Sequence, residues 1–240
     1  MSKVKPKVET KTSKPKHHGF DRRDGLGVYI EDPASFPASR VIYHNEEFVA
    51  IHDLYPKSSV HTLLLPRSPK VALTHPFDAF EDPEFLAFVR TEAAKLKKIV
   101  ASELQRLYGP FSAQDVPREA ILNGTVEFPI DQPMPAGRDW EKEVKVGVHA
   151  HPSMNHLHVH VLSVDRISQC MKHRKHYNSF STPFFVDLGD FPLPEDDDRR
   201  RKTGYLERDL QCWRCGMNFG NKFAKLKEHL AVEFEEWKKE

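Results

Sequence analysis

The sequence predicts an α+β fold with a mostly antiparallel sheet, one long helix and a small metal-binding module near the C-terminal end. Three observations predict it: short runs of alternating apolar residues, one long stretch with a helical apolar stripe, and a late cysteine pair followed by a histidine. The 240 residues are enough for one sizeable domain and a small appendage.

The composition narrows the class of protein. Apolar residues make up 39% and charged residues 30% of the chain, which predicts a soluble globular protein. No apolar run approaches the ~20 residues that span a bilayer, so we expect no membrane partner. The N-terminus lacks the apolar segment of a secretory signal.

Residues 1–19 form a basic tail. They carry six lysines against one acid, Glu9, and too few apolar residues for a core, so we expect disorder. Such a tail is a nuclear address, a phosphate-binding arm or simply a solubilising segment. We expect a nuclear location, with the cytoplasm as a second one.

The main folded unit is predicted over residues 20–188. Residues 40–43, 47–51 and 61–65 read as short strands, and the segments 144–150 and 156–162 alternate as strands do. The clearest helix runs from Pro83 to Tyr108, with Asp82 as its cap and Gly109-Pro110 as its end. Residues 189–204 read as a linker because prolines precede a block of acids and a block of bases.

The segment His156-Leu-His158-Val-His160-Val-Leu162 carries the strongest functional signal. In a strand, Leu157, Val159 and Val161 would enter the core together, and the three imidazoles would line the opposite face. Imidazoles at this spacing suit an anionic ligand or a metal such as zinc. The plain alternative is a row of partly exposed histidines without a function.

This segment resembles the signature of the histidine-triad superfamily, which hydrolyses or transfers nucleoside monophosphates. Further segments narrow the resemblance to the aprataxin family, in its shorter fungal form. They are Val146–Asn155 with its His149-Ala-His-Pro-Ser153-Met154 core, Asp53-Leu-Tyr-Pro-Lys57, His61-Thr-Leu-Leu-Leu-Pro66 and Lys172–Phe180. The resemblance implies a histidine-triad fold and a DNA 5′-adenylate hydrolase that removes AMP from abortive ligation intermediates.

The resemblance also implies catalytic roles. His158 would attack the adenylate phosphorus and form a histidyl-AMP intermediate, which water then hydrolyses. His156 would orient the nucleophile and fix its tautomer, while His160 and His149 would donate to phosphate oxygens or to the leaving oxygen. With these imidazoles and Lys175 near the phosphate, we expect no catalytic metal.

Binding roles follow from the same resemblance. Asp53 would lie near the AMP ribose and Leu54 would line the nucleoside pocket. Residues expected to contact the DNA end are Lys57, His61, Ser153 and Met154, and Phe20 would act as a wedge against the terminal base pair. Asp53 and Lys57 also fit an ordinary strand end and loop, His61 and Met154 fit packing residues, and Phe20 fits a hydrophobic staple. His44, His52, His75 and His151 are left as surface or structural histidines.

Residues 205–240 read as a zinc-binding module. Cys212-Trp-Arg-Cys215 precedes His229 and Glu233, which lie one helical turn apart on the same face. Two thiolates, an imidazole and a carboxylate suit one tetrahedral zinc ion, and the resemblance supports the carboxylate. The alternative is a redox cysteine pair. About 36 residues are too few to fold on packing alone, so zinc would supply much of the folding energy.

Three functions stay open at this point. The first is the DNA 5′-adenylate hydrolase, acting as a monomer on nicked or double-stranded DNA ends and releasing AMP. The second is a general nucleoside phosphoramidate or dinucleotide hydrolase with the zinc module as a tether. The third is a DNA-end binding adaptor in which the histidines only hold phosphate. Lys222, Lys225, Lys227 and Arg214 would give the zinc module a phosphate-binding surface.

Overall fold

The computed structural model describes residues 21–127 and 131–240. The basic tail and Phe20 lie outside the described residues, so the predictions made for them stay predictions. Within the described parts of the chain, no helix has both the length and the apolar character that a bilayer crossing requires.

Six strands form one antiparallel sheet, as the sequence predicts. They are β1 Val41–His44, β2 Phe48–His52, β3 His61–Pro66, β4 Val144–His149, β5 Val159–Ser163 and β6 Phe185–Asp187. Their order across the sheet is β1-β2-β3-β5-β4-β6, and every neighbouring pair is antiparallel. β5 therefore lies in the middle of the sheet, between β3 and β4.

The described helices are α1 Gly27–Glu31, α2 Pro76–Ala79, α3 Pro83–Tyr108, α4 Val116–Leu122, α5 Arg174–Ser181 and α6 Phe223–Lys239. The bounds predicted for α3 are confirmed. The Asp82 carboxylate accepts hydrogen bonds from the amides of Glu84 and Phe85, which satisfies two amide groups that a helix start leaves unpaired.

Both faces of the central strands are covered, because successive residues of a strand point to opposite sides. Ala50, Leu64 and Val161 join the main core under α3. The opposite face of β1, β2 and β3 packs against the segment that contains α1, in a second core of Leu26, Tyr29, Val41, Val49, Ile51, Leu63 and Leu65. His160 of β5 lies on this second face, opposite Leu63.

The strand predicted over residues 156–162 begins three residues later, at Val159. The amide of Leu157 donates to the carbonyl of Ala72, outside the sheet, and the pairing with β3 starts only at Val159 opposite Leu64. The predicted alternation nevertheless continues through this irregular stretch, because Leu157, Val159 and Val161 are all buried in the main core.

The zinc module and the stretch before it share the main core. Phe191 and Leu193, in the predicted linker 189–204, are buried there, and so is Trp237 of α6. The ring of Phe191 packs 4.9 Å from the ring of Phe80, measured between centroids. The linker is thus packed along part of its length, while the predicted domain boundaries themselves stay a prediction.

Candidate active site

The middle of the sheet gathers four imidazoles. His160 of β5 lies opposite Leu63 of β3 and Gly147 of β4, so residues of both strands flank it. Its ring centroid is 4.4 Å from that of His149, 4.9 Å from that of His158 and 5.1 Å from that of His61. The structure therefore brings together residues that are up to 99 positions apart in the sequence.

The tautomer of His158 follows from its hydrogen bond. Its Nδ1 lies 2.7 Å from the main-chain carbonyl oxygen of His156. A carbonyl oxygen only accepts, so Nδ1 carries the proton and Nε2 keeps a free lone pair. Burial lowers the pKa of His158, so the ring is neutral near pH 7. His158 thus has an unprotonated Nε2 suited to nucleophilic attack.

His156 orients His158, but through its backbone. The carbonyl oxygen, and not the imidazole, accepts the Nδ1 proton, so the backbone of residue 156 makes the hydrogen bond that the predicted orienting role requires. The His156 ring packs against Gly27, where an added Cβ would come within 3.0 Å of the ring. α1 therefore approaches the ring so closely that residue 27 has little room for a side chain.

A second relay ends at His160. The Lys57 amide donates to Nδ1 of His61 over 3.1 Å, so the proton of a neutral His61 ring lies on Nε2. That Nε2 donates to Nδ1 of His160 over 2.9 Å. The remaining proton of His160 is then on its Nε2, which makes this atom a donor for a phosphate oxygen.

Burial keeps the relay uncharged. It lowers the pKa of His61 to about 4, although the Asp53 carboxylate, 3.4 Å from Nδ1, favours the protonated form. Burial also lowers the pKa of His160 and of His149 well below the usual value, and the neighbouring histidines add to the effect. The cluster can therefore offer a neutral N–H donor, Nε2 of His160, to an anionic ligand.

His61 is placed as a positioning residue of the cluster. Its side chain has no exposed surface, because Phe180 and His160 pack against its ring. This burial gives no support to the expectation that its side chain touches DNA, and it agrees with the alternative of a packing residue. The sequence offers no signal for the relay, since the His61–His160 contact requires the pairing of β3 with β5.

Two nitrogens of the four clustered imidazoles are buried without a hydrogen-bond partner among the described residues. They are Nε2 of His149 and Nε2 of His160. His149 is enclosed by aromatic rings, with those of Phe180 and Phe184 centred 4.6 and 5.2 Å away. A buried unpaired polar atom costs about 1–3 kcal/mol, and phosphate oxygens would supply the missing partners.

Gly147 fits the crowded centre of this face. An added Cβ at this position would lie 2.2 Å from the carbonyl oxygen of Val186 and 2.8 Å from the ring of Phe185. The first atom belongs to the backbone and cannot rotate away. A side chain at residue 147 would therefore displace β6 and the aromatic wall beside His149 and His160.

The loop between β2 and β3 carries the predicted nucleoside contacts. The Asp53 carboxylate accepts from the amide of Tyr55 over 2.7 Å, and Leu54 is 46% exposed beside it. The ammonium of Lys57 donates to the carbonyl of Tyr55, and burial lowers the pKa of Lys57. The positive charge of Lys57 is one of the lesser causes that lower the pKa of His149, after burial and the neighbouring histidines.

Lys175 lies elsewhere than the resemblance implies. Its ammonium is exposed and pairs with the Glu207 carboxylate at 3.0 Å, at the junction between α5 and the zinc module. Of the two lysines predicted at the site, Lys57 is the one whose charge acts on the imidazoles. The assignment of a phosphate-binding role to Lys175 therefore has no support in the observed contacts.

A cleft of about 290 Å³ opens onto His158. His149, His156 and His158 line one part of it, and Met154 lines another. Met154 also packs against the second core around Tyr29, while Ser153 is exposed and its carbonyl accepts from Nε of Arg23 over 3.1 Å. Met154 thus lines the cleft, and Ser153 lies next to it at the surface, bonded to Arg23 of the same lining.

The alternative of a metal on the histidine strand gains little from the geometry. Among the described residues, ligand atoms of His156, His158 and His160 do not form a group compact enough for one ion. Asp53, His61 and His160 do place one ligand atom each within 4.8 Å of one another. The hydrogen bond between the two imidazoles already accounts for that proximity.

The predicted zinc ligands converge. Sγ of Cys212 and Cys215, a ring nitrogen of His229 and a carboxylate oxygen of Glu233 all lie within 4.8 Å of one another. Sγ of Cys215 is 3.2 Å from Nε2 of His229, which is 3.1 Å from Oε1 of Glu233. Two thiolates, an imidazole and a carboxylate form a donor set that fits tetrahedral zinc.

Arg214 orients the carboxylate of this group. It donates to Oε2 of Glu233 over 2.5 Å, which leaves Oε1 turned toward His229, and it also bonds to Glu240. These two ion pairs occupy the guanidinium, so the expectation that Arg214 binds DNA phosphates is not supported. Lys222, Lys225 and Lys227 are exposed, as a phosphate-binding surface requires.

Comparison with known proteins identifies the family. A family model described as a HIT domain matches residues 37–167, and one described as a C2HE, C2H2 or C2HC zinc-binding finger matches residues 181–236. The aprataxin-like protein of Schizosaccharomyces pombe is 35% identical, over 98% of this chain and 90% of its own. The chain belongs to the aprataxin family.

Further members of the family agree. The aprataxin-like protein of Saccharomyces cerevisiae is 34% identical over 88% of this chain and 95% of its own. A crystal structure of the aprataxin ortholog Hnt3 in complex with DNA superimposes with a TM-score of 0.69 at 33% identity, and covers 90% of this chain and 96% of that one. The histidine-triad fold with a C-terminal zinc finger is confirmed.

Proposed function

We propose that the protein is a DNA 5′-adenylate hydrolase, which removes AMP from abortive ligation intermediates and restores a 5′-phosphate during single-strand break repair. The observation that carries the proposal is the buried, neutral His158 with its Nδ1 proton fixed and its Nε2 free. Membership of the aprataxin family and the DNA complex of a related ortholog support DNA as the substrate.

The reaction proceeds by two displacements at one phosphorus. Nε2 of His158 forms a bond to the adenylate phosphorus, the phosphoanhydride bond breaks, and its electron pair leaves with the DNA 5′-phosphate. Water then attacks the same phosphorus, the P–N bond breaks, and AMP departs as His158 regains its lone pair. The covalent intermediate divides one difficult displacement into two easier ones.

Neutral donors stabilise the charge that develops in each transition state. Nε2 of His160 carries the ring proton, because its Nδ1 accepts the hydrogen bond from His61. The adjacent His149 also has a buried Nε2 without a partner among the described residues. A donor placed where charge develops is worth about 2.7–4 kcal/mol in such sites. The resident side chains thus supply the stabilisation, and no step requires a metal.

The zinc finger holds the DNA. We propose that one zinc ion, held by Cys212, Cys215, His229 and Glu233, fixes the start of α6 and presents Lys222, Lys225 and Lys227 to phosphates. Because strand breaks occur in any sequence, contacts to the backbone suffice. We also propose that the protein acts as a monomer in the nucleus, and that Phe20 is the wedge.

The experiment is hydrolysis of nicked DNA that carries a 5′-linked AMP, with zinc-loaded protein and no added magnesium. AMP and a ligatable 5′-phosphate should appear, and His158→Ala should abolish both. A variant of an exposed histidine, His44→Ala, is the matched control and should retain wild-type rates. Continued AMP release by His158→Ala would refute the proposed nucleophile.

A comparison of substrates separates the two rivals. A general nucleotide hydrolase would cleave adenosine phosphoramidate at least as fast as adenylated DNA, because its zinc finger would only tether the enzyme. A DNA-end binding adaptor would bind the nicked DNA and release no AMP. Strong preference for the adenylated nick, measured as kcat/KM, supports the proposed function over both.

A further inference from the structure

The cleft beside His158 has an unusual electrostatic lining. Seven of the fifteen residues that line it carry basic side chains, and none of these fifteen described residues is acidic. Three of the seven, His149, His156 and His158, belong to the catalytic cluster. The other four are Arg23, His75, His151 and Lys202. So one-sided a lining favours an anion.

One of these residues has an unmet hydrogen bond. Nε2 of His151 is buried and has no partner among the described residues. Aromatic rings surround it in the cleft wall, with Phe184, His75 and Phe77 centred 6.2, 6.4 and 6.5 Å from its ring. Because a buried polar nitrogen is costly without a partner, His151 is suited to a ligand that supplies one.

The position of the cleft indicates which half of the substrate it takes. The predicted nucleoside contacts, Asp53 and Leu54, are absent from its lining, whereas the nucleophile His158 is part of it. Displacement at the adenylate phosphorus needs the nucleoside and the departing strand to occupy different spaces. The nucleoside would bind at the loop between β2 and β3, so the cleft is available for the departing DNA strand.

We propose that His151 and Lys202, with Arg23 and His75 beside them, form a phosphate subsite for the DNA strand on the leaving side of the scissile bond. This inference rests on the proposed function and extends it to residues that sequence analysis left as structural or placed in a linker. The occupant is a phosphate of the strand, either its terminal 5′-phosphate or the first phosphodiester after it.

Lys202 gives the stretch between the two modules a role. It lies within residues 189–204, two residues after Arg200, whose guanidinium donates to the carbonyls of Leu193 and Pro194. Packing of Phe191 and Leu193 in the main core anchors the same stretch. The packed stretch that leads to the zinc finger therefore places the ammonium of Lys202 at the cleft beside His158.

The test measures binding to nicked DNA by fluorescence anisotropy at one fixed salt concentration. The probes are the same nick with a 5′-phosphate, with a 5′-hydroxyl, and with a methylphosphonate as the first phosphodiester. Since a hydrogen bond to a charged group is worth about tenfold to a hundredfold in affinity, wild type should bind the charged form at least tenfold more tightly. The variants are His151→Ala, Lys202→Ala and their combination.

In the double variant His151→Ala with Lys202→Ala, the preference for the charged probe should fall to about twofold or less. The single variant Lys202→Arg should retain most of that preference. The matched control, His44→Ala with Lys142→Ala, changes exposed residues outside the cleft and should keep the wild-type preference. Loss of discrimination against the 5′-hydroxyl identifies the terminal phosphate as occupant, and loss against the methylphosphonate identifies the first phosphodiester. Undiminished discrimination in both comparisons would overturn the subsite.

The outcome is independent of turnover. If wild type prefers the phosphate but releases no AMP from adenylated DNA, the proposed reaction fails and the subsite stands. If wild type releases AMP and the double variant discriminates as wild type does, the subsite alone fails. A thermal melt of each variant, compared with wild type, shows that the change in binding does not come from unfolding.

Discussion

The helix that carries two zinc ligands should stabilise the whole protein through Trp237. Its side chain is 1% exposed, and its indole N–H donates to Oε2 of Glu143 over 2.7 Å. The ring packs edge-on against Tyr108 and Trp140, and the Arg138 guanidinium lies 4.9 Å from its centroid. Removal of so large a buried ring costs about 3–5 kcal/mol, so Trp237→Ala should lower Tm by about 10 °C.

Urea denaturation and differential scanning calorimetry of the zinc-loaded protein would measure this effect. Trp237→Phe keeps a buried aromatic ring and loses the bond to the Glu143 carboxylate, so it should cost about 1.5–3 kcal/mol, less than Trp237→Ala. Val232→Ala changes an exposed residue of the same helix and should stay within about 0.5 kcal/mol of wild type. A Trp237→Ala protein that melts as wild type does would refute the account of a shared core.

Three further predictions concern the relay, pH and zinc. His61→Phe keeps a ring but removes the hydrogen bond to His160, so kcat should fall about tenfold to a hundredfold with little change in KM. An equal fall in kcat in an exposed-histidine variant would contradict the positioning role of His61. Burial lowers the pKa of His61 to about 4, so between pH 6.5 and 4 the unfolded state binds more protons and acid destabilises the fold. In urea titrations, wild type should lose about 3 kcal/mol more across that window than His61→Gln, because the other buried histidines contribute to both proteins. Zinc removal, or Cys215→Ala, should lower the single main melting transition, because α6 joins the main core; a separate early transition with the main one unmoved would contradict this.

The features that local sequence rules govern could be predicted. α3 has a capping aspartate, a proline in its first turn and a glycine after its last residue, and the structure starts and ends it at the predicted residues. The four zinc ligands were also identified, since their spacing along the chain limits the arrangements that one ion allows. Both signals lie within short stretches of chain.

The features that depend on pairing between distant strands could not be predicted. His61 reaches His160 only because β3 and β5 are neighbours in the sheet, and nothing in either strand encodes that pairing. The late start of β5, at Val159, has the same origin, because the amide of Leu157 donates to the carbonyl of Ala72 outside the sheet. The partners of Lys175 and Arg214 could not be predicted either: Glu207 and Glu233 pair with charges that the sequence shows as free, so the observed contacts do not support the phosphate-binding roles.

The cleft residues were missed for a further reason. His151 and Lys202 stand 51 positions apart in the chain, and each has an ordinary surface interpretation in its own segment. Their common lining of one cleft follows from the packing of the 189–204 stretch on the main core, which carries Lys202 back to the catalytic face. A sequence pattern that reads as a linker thus contributes to the site.

The most direct measurement of the central claim is the identity of the adenylated residue. Rapid mixing with adenylated nicked DNA, quenching in alkali within one turnover and peptide mass spectrometry would locate the AMP. The account predicts AMP on Nε2 of His158, and no adduct in His158→Ala. AMP on any other side chain, or a burst of AMP release from His158→Ala, would contradict it.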